Sequence, residues 1–188
     1  MQNKNRNWLL RSTLACAGAA ALSAATAAHA DTFGVQVAGG ISDKHHVDNV
    51  DLGFVWDPGI NWWEIGGWHF SLVGEAHVAY WHPTQGASRR DVYEIGVSPM
   101  VRFIKSSGAI RPYIEAGAGV RGLTHAAISD SFSLGTAFQF TETVGVGAQF
   151  GARQQYQAGF RFQHVSNGGI KEPNPGINFS QLYLQYNF

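Results

Sequence analysis

His164 and Ser166 stand two residues apart at the end of a stretch whose apolar residues, Tyr156, Ala158, Phe160 and Phe162, share their parity. In an extended strand, side chains two apart leave the same face. An imidazole and a hydroxyl therefore lie side by side on a predominantly apolar surface. That pair is the minimum for nucleophilic catalysis, because the imidazole takes the hydroxyl proton as the oxygen attacks a carbonyl. Most His-x-Ser triplets are inert, and spacing alone would not single this one out. Its neighbours do. Asn167-Gly168-Gly169 follows directly, a flexible turn whose amides can point at a developing oxyanion. Asn178 and Ser180 share parity with Leu182 and Phe188. A hairpin pairing Ser166 near Asn178 puts Asn178 diagonal to His164, within reach of its ring. Glu142 is the one acid on a face otherwise made of Phe138, Phe140, Val144 and Val146. A carboxylate there is costly and calls for a reason, unless a bulge flips the local parity.

The elements that must carry these groups read as strands. Apolar and polar residues alternate over 33–41, 50–56, 68–80, 93–103, 110–120, 138–150, 156–162 and 182–188. Many of these segments reach ten residues or more, whereas ordinary strands average about five or six. A tilted membrane-spanning strand needs about nine to eleven. One face is aromatic and aliphatic, and the other carries Gln, Thr, Glu, Arg and Gly. The expectation is an all-β fold, an eight-stranded antiparallel transmembrane β-barrel of the bacterial outer membrane, with its apolar face toward lipid. Eight strands leave an interior just wide enough for side chains. Arg102, Arg111, Arg121 and Arg161 are expected to pair there with Glu75, Glu94 and Glu115. A soluble lipocalin-like barrel with its apolar face inward is the competing architecture.

Composition agrees. Of 188 residues 45% are hydrophobic and 14% charged, with thirteen Lys and Arg balanced by thirteen Asp and Glu. There is no positive excess for phosphates to attract, which argues against nucleic acid, and the apolar content argues against disorder. Past residue 30 no apolar run is long enough for a spanning helix. Lys4, Arg6 and Arg11 precede an Ala- and Leu-rich core that closes on Ala28-His29-Ala30, so residues 1–30 are expected as a secretory signal peptide and 31–188 as the barrel. Cys16, the only cysteine, lies inside that segment, so the mature chain has no thiol chemistry. A lipoprotein signal around Cys16 is disfavoured by Thr13 and by the short apolar core before it. Losing Lys4, Arg6 and Arg11 leaves ten basic against thirteen acidic residues, a net charge of −3. With a periplasmic N-terminus, the links over 42–48, 83–90, 125–134 and 167–177 face the exterior. His164 and Ser166 then sit at the outer end of their strand.

The run His164-Val165-Ser166-Asn167-Gly168-Gly169-Ile170-Lys171-Glu172-Pro173-Asn174-Pro175-Gly176, followed by a strand ending on Phe188, resembles the C-terminal hallmark of the lipid A 3-O-deacylases (the PagL family). The shared features are a His-x-Ser-Asn turn, a Pro-Asn-x-Gly loop and a terminal aromatic strand. The rest of the chain matches in layout and size. The resemblance implies a Ser hydrolase site on the outer wall of an outer-membrane barrel. It implies cleavage of the 3-linked hydroxyacyl ester of lipid A, with water as acceptor and no metal or other cofactor. Ser166 would be the nucleophile and His164 the general base, with Asn167 and Gly169 at the oxyanion. The family pattern also has an acid, usually Glu, near the start of the last strand. Asn178 occupies that place here. An amide can fix an imidazole tautomer, as in Cys-His-Asn enzymes. It supplies no charge to imidazolium, so slower turnover is expected. Glu172 is an alternative acid, and Phe140-Thr141-Glu142 resembles a Phe-x-acid element of the family.

On this reading lipopolysaccharide is the substrate and outer-membrane lipid the surroundings. Acyl chains would lie along Phe140, Phe160, Phe162 and Leu182, with Phe140, Phe162 and Asn174 binding substrate. Lys171, Arg89 and Arg90 could meet its phosphates, although such loop charges are usually just solvated. The alternative is a non-enzymatic small barrel for structure or adhesion, against which the short exterior loops count. A homodimer is left open.

Overall fold

The structure, a computed structural model, describes residues 31–188, so the expected signal peptide and Cys16 lie outside the described residues. The strands are β1 (Thr32–Ser42), β2 (Val47–Asp57), β3 (Asn61–Ile65), β4 (Trp68–Pro83), β5 (Val92–Lys105), β6 (Ile110–Leu123), β7 (Phe138–Phe150), β8 (Tyr156–Ser166) and β9 (Ile177–Asn187). All long strands pair antiparallel with their neighbours. β1 pairs with both β2 and β9, and β2 pairs onward with β4, so the sheet closes into an eight-stranded barrel. Closure leaves the eight long strands paired on both sides, the condition for β-structure to sit in hydrocarbon.

Between β2 and β4, where the alternation marks no strand, lies a ninth, short one, β3. β3 folds back on the start of β4, because Trp62 stacks on Phe70 at 5.9 Å and Trp63 meets the same ring edge-on at 6.0 Å. Gly66 and Gly67, at φ 59° and 78°, make the turn between them.

The two faces separate as the alternation predicts. Leu52, Val78, Ile95, Val144 and Leu182 point outward and are exposed, while Gln, Thr, Glu and Arg fill the interior. Arg161 holds Glu75 with two hydrogen bonds of 2.8 and 2.6 Å and reaches Glu115 at 2.6 Å. Arg102 reaches the same Glu115 at 2.8 Å. Two cations thus share two carboxylates, which avoids the several kcal/mol that an unpaired buried charge costs. Glu94 pairs with Arg121 and with His77. Arg111 departs from the expected set. As the second residue of β6 it sits at the rim, half-buried, donating Nε to the Lys105 carbonyl at 2.7 Å.

Toward the links expected at the exterior the interior changes character. Val47, Ala79, Trp81, Val92, Leu123, Val165, Ile177 and Phe179 turn inward and meet Ile128, Phe132 and Leu134 from the loop between β6 and β7. β4, β5 and β6 run 16, 14 and 14 residues, beyond the roughly nine to eleven a span requires. Strands of that length can extend past the bilayer. At this end the interior is an ordinary apolar core with a loop as its plug.

Candidate active site

β8 delivers His164 and Ser166 to the outer face, and Val165 between them is fully buried in the plug. The β7–β8 ladder runs unbroken from Phe140↔Ser166 to Phe150↔Tyr156. No bulge reverses Glu142, which is exposed and directly opposite His164. On the other side the β8–β9 ladder sets His164 opposite Asn178. Asn178 is therefore a direct cross-strand partner, closer than the diagonal expected. Its Oδ1 lies 2.6 Å from His164 Nδ1. Ser166 shares the face of His164 and stands opposite Phe140, but the hydroxyl and the ring form no hydrogen bond among the described residues. Such contacts commonly tighten only when substrate binds.

Asn178 has a second partner that the sequence reading missed. Its Nδ2 donates to Asp43 Oδ2 at 3.0 Å, and the Asp43 amide donates to the Asn178 carbonyl at 3.2 Å. A signal for Asp43 was present. It continues the outward parity of Phe33, Val35, Val37 and Ile41, and closure of a barrel seats the first strand beside the last. One row of side chains thus runs around the outer wall: Glu142, His164, Asn178, Asp43.

The turn after Ser166 is built around Asn167, which is fully buried. Its Nδ2 donates to the carbonyls of Leu134 at 2.8 Å and Lys171 at 2.7 Å, tying the plug loop to the 167–176 loop. Its backbone amide donates to Asn174 Oδ1, and its own Oδ1 accepts from the Gly169 amide, both at 2.9 Å. The two amides expected at an oxyanion are thus each held by a side-chain carbonyl within the loop, and Asn174 serves as a brace. Glu172 accepts from the Asn174 amide at 3.2 Å and so belongs to the same loop. Gly176, at φ 66°, closes under the imidazole. A Cβ there would stand 2.7 Å from His164 Cε1.

Phe140 and Phe162 lie half-exposed on the same surface, with Phe140 edge-on to Phe138 at 5.1 Å. Phe160 and Leu182 extend the apolar strip toward the membrane. Lys171, Arg89 and Arg90 are exposed, and Arg89 Nη1 donates to the Thr84 carbonyl at 2.8 Å. Asp51, His77 and Glu94 present potential ligand atoms within 4.8 Å of one another, but on the inner face. The Arg121 guanidinium already supplies a cation to that group.

Comparison with known proteins follows the same lines. The family model described as "Lipid A 3-O-deacylase (PagL)" matches residues 48–187. The lipid A deacylase PagL of Bordetella bronchiseptica is 34% identical over 175 residues, covering 89% of this chain and 91% of that one. The lipid A deacylase PagL of Pseudomonas aeruginosa is 29% identical over 177 residues, covering 94% and 98%. The crystal structure of the outer membrane enzyme PagL superposes with a TM-score of 0.71 at 26% identity, over 84% of this chain and 99% of that one. Neisserial surface protein A, at 12% identity and a TM-score of 0.53 over 87% and 100%, shares the fold alone.

Proposed function

Because the chain belongs to the lipid A 3-O-deacylase (PagL) family, we propose that it hydrolyses the ester-linked 3-hydroxyacyl chain at position 3 of lipid A, using Ser166 and His164. The protein is an outer-membrane barrel, and its substrate class lies in the leaflet around it. The observation that carries the reading is the outward-facing His164–Asn178 pair beside Ser166; it lies at the end of the barrel expected to face the exterior, where lipopolysaccharide would be held.

Ser166 Oγ attacks the ester carbonyl as His164 Nε2 takes its proton. The tetrahedral oxyanion draws on the amides of the Asn167–Gly169 turn. It competes with Asn174 Oδ1 and Asn167 Oδ1 for those donors, and a charged acceptor makes a hydrogen bond about twice as strong as a neutral one. The sugar hydroxyl then leaves with the proton from His164. Water, deprotonated by the same imidazole, releases the 3-hydroxy fatty acid from Ser166. Asn178 keeps Nδ1 protonated throughout. Phe140 and Phe162 border the acyl chains, and lateral diffusion in the membrane takes the place of an enclosed pocket.

The test is the mass spectrum of lipid A from cells expressing each form. Wild type should remove one hydroxyacyl chain. Ser166→Ala and His164→Asn should remove none while still showing the heat-dependent gel shift of a folded barrel. Persistent loss of that chain with Ser166→Ala would overturn the mechanism, and unchanged lipid A with wild type would favour a non-enzymatic barrel.

A further inference from the structure

We infer that Asp43 is a positioning residue for the reaction, selecting the tautomer of His164 through Asn178; the inference rests on His164 acting as the base. A carboxylate only accepts hydrogen bonds, whereas an amide side chain donates from nitrogen and accepts at oxygen. With Nδ2 given to Asp43 at 3.0 Å, Asn178 can present only Oδ1 to the ring, 2.6 Å from Nδ1. Nδ1 must then carry the proton. A neutral imidazole has one N–H, so the lone pair is left on Nε2, the atom that has to receive the serine proton. Without Asp43 nothing dictates which way the amide faces. A rotated Asn178 donates to Nδ1 and stabilises the Nε2–H form, which is no base toward Ser166.

Asp43 is placed for this by the barrel rather than by chance of a loose loop. The β1–β9 ladder ends at Ser42↔Phe179, and Asp43 continues it by one more backbone hydrogen bond, to the Asn178 carbonyl. The short turn into β2 is closed by the Val47 amide on Ser42 Oγ at 2.8 Å, and His45 within it stacks on Phe132 at 3.8 Å. A carboxylate that would normally touch the imidazole is thus moved one side chain outward, and the amide transmits its direction.

The decisive measurement is the tautomer itself, read from the ¹⁵N shifts of histidine-labelled protein in detergent micelles, with the His164 signals assigned by their loss in His164→Asn. Wild type should show the Nδ1–H form. Asp43→Ala should move the population toward Nε2–H and lower kcat on lipid A in mixed micelles with KM unchanged. A lost hydrogen bond to a charged group corresponds to a fall of roughly tenfold to a hundredfold. Asp43→Glu should restore much of it. The exchange Asp43→Asn with Asn178→Asp puts an acceptor-only group directly on Nδ1 and should restore the tautomer without Asp43. An unchanged tautomer in Asp43→Ala overturns the inference whatever the activity. A changed tautomer with full activity overturns instead the role of His164 as base, a failure that full activity in His164→Asn would register separately.

Discussion

Gly176→Ala should cripple the enzyme through one atom. The added Cβ would lie 2.7 Å from His164 Cε1 and 3.3 Å from Nε2. Carbon atoms in contact settle about 3.5–4.0 Å apart, so the ring or the loop must give by roughly 1 Å. The ring is tied at Nδ1 to Asn178, so it can yield only by turning Nε2 away from Ser166. A misplacement of about 1 Å in a catalytic group costs about a hundredfold in rate. Backbone strain adds to this. Gly176 has φ 66°, where an L-residue costs about 1–2 kcal/mol. The control is Gly67→Ala, at φ 78° with open space around its missing Cβ, which carries the backbone cost alone. Both variants should lower the thermal midpoint of the heat-dependent gel shift, but only Gly176→Ala should lose kcat on lipid A in mixed micelles. A Gly176→Ala protein with kcat near wild type would refute the placement of the ring on that glycine.

Asn178→Glu, which sets a carboxylate directly on the imidazole, should preserve or raise deacylation as read by lipid A mass spectrometry; complete loss in a folded barrel would count against Asn178 orienting His164. Phe179→Ala removes a fully buried ring from the plug directly behind the site and should cost about 3–5 kcal/mol, seen as a lower unfolding midpoint together with reduced activity. Burial under the loop lowers the pKa of His45 below its ordinary 6.5, against opposing pulls from Asp43 and a hydrogen bond to the Gly176 backbone. The folded protein then binds fewer protons than the unfolded chain, so this contribution is intact above about pH 6.5 and shrinks as pH falls through that value toward the lower folded one. Thermal midpoints at about pH 7.5 and pH 5.5 should differ for wild type, and the difference should narrow in His45→Gln.

Period-two patterning was enough to read the barrel, because lipid on one side and a narrow hydrophilic interior on the other force every strand to declare its faces. The outward placement of His164, Ser166 and Asn178 was legible for the same reason, as polar residues at positions where the pattern demands apolar ones. Asp43 obeys that rule too, but a charged residue just past a strand end is indistinguishable from a solvated loop charge until closure puts β1 against β9. The plug was hidden for a different reason. Trp81, Val165 and Phe179 lie on the inward parity, where the membrane-barrel rule expects polar groups, and the rule stops applying once the strands leave the bilayer. The roles of Asn167 and Asn174 depend on which carbonyls a neighbouring loop brings within reach, and spacing along the chain carries no record of Leu134.

A site proposed to receive its substrate from the side has no pocket walls to hold its groups in place, so its order has to come from behind. Val165 and Asn167 bracket Ser166, and Ile177 and Phe179 bracket Asn178. All four are essentially inaccessible to solvent, and three of them belong to the apolar core that packs on the plug. Each outward functional side chain is thereby pinned by its inward neighbours, the support that catalytic geometry requires. The level of the plug also accounts for the acids in the row. Glu142 and Asp43 flank His164 and Asn178 beside Val165, Ile177 and Phe179 of the apolar core, at the end of the barrel expected to face the exterior, where hydrocarbon would give way to headgroups and water. A carboxylate is tolerable there and would be expensive a few residues nearer the membrane centre. Placing an amide next to the imidazole and the charge one side chain farther out keeps the tautomer fixed while moving the formal charge to a loop residue that solvent reaches.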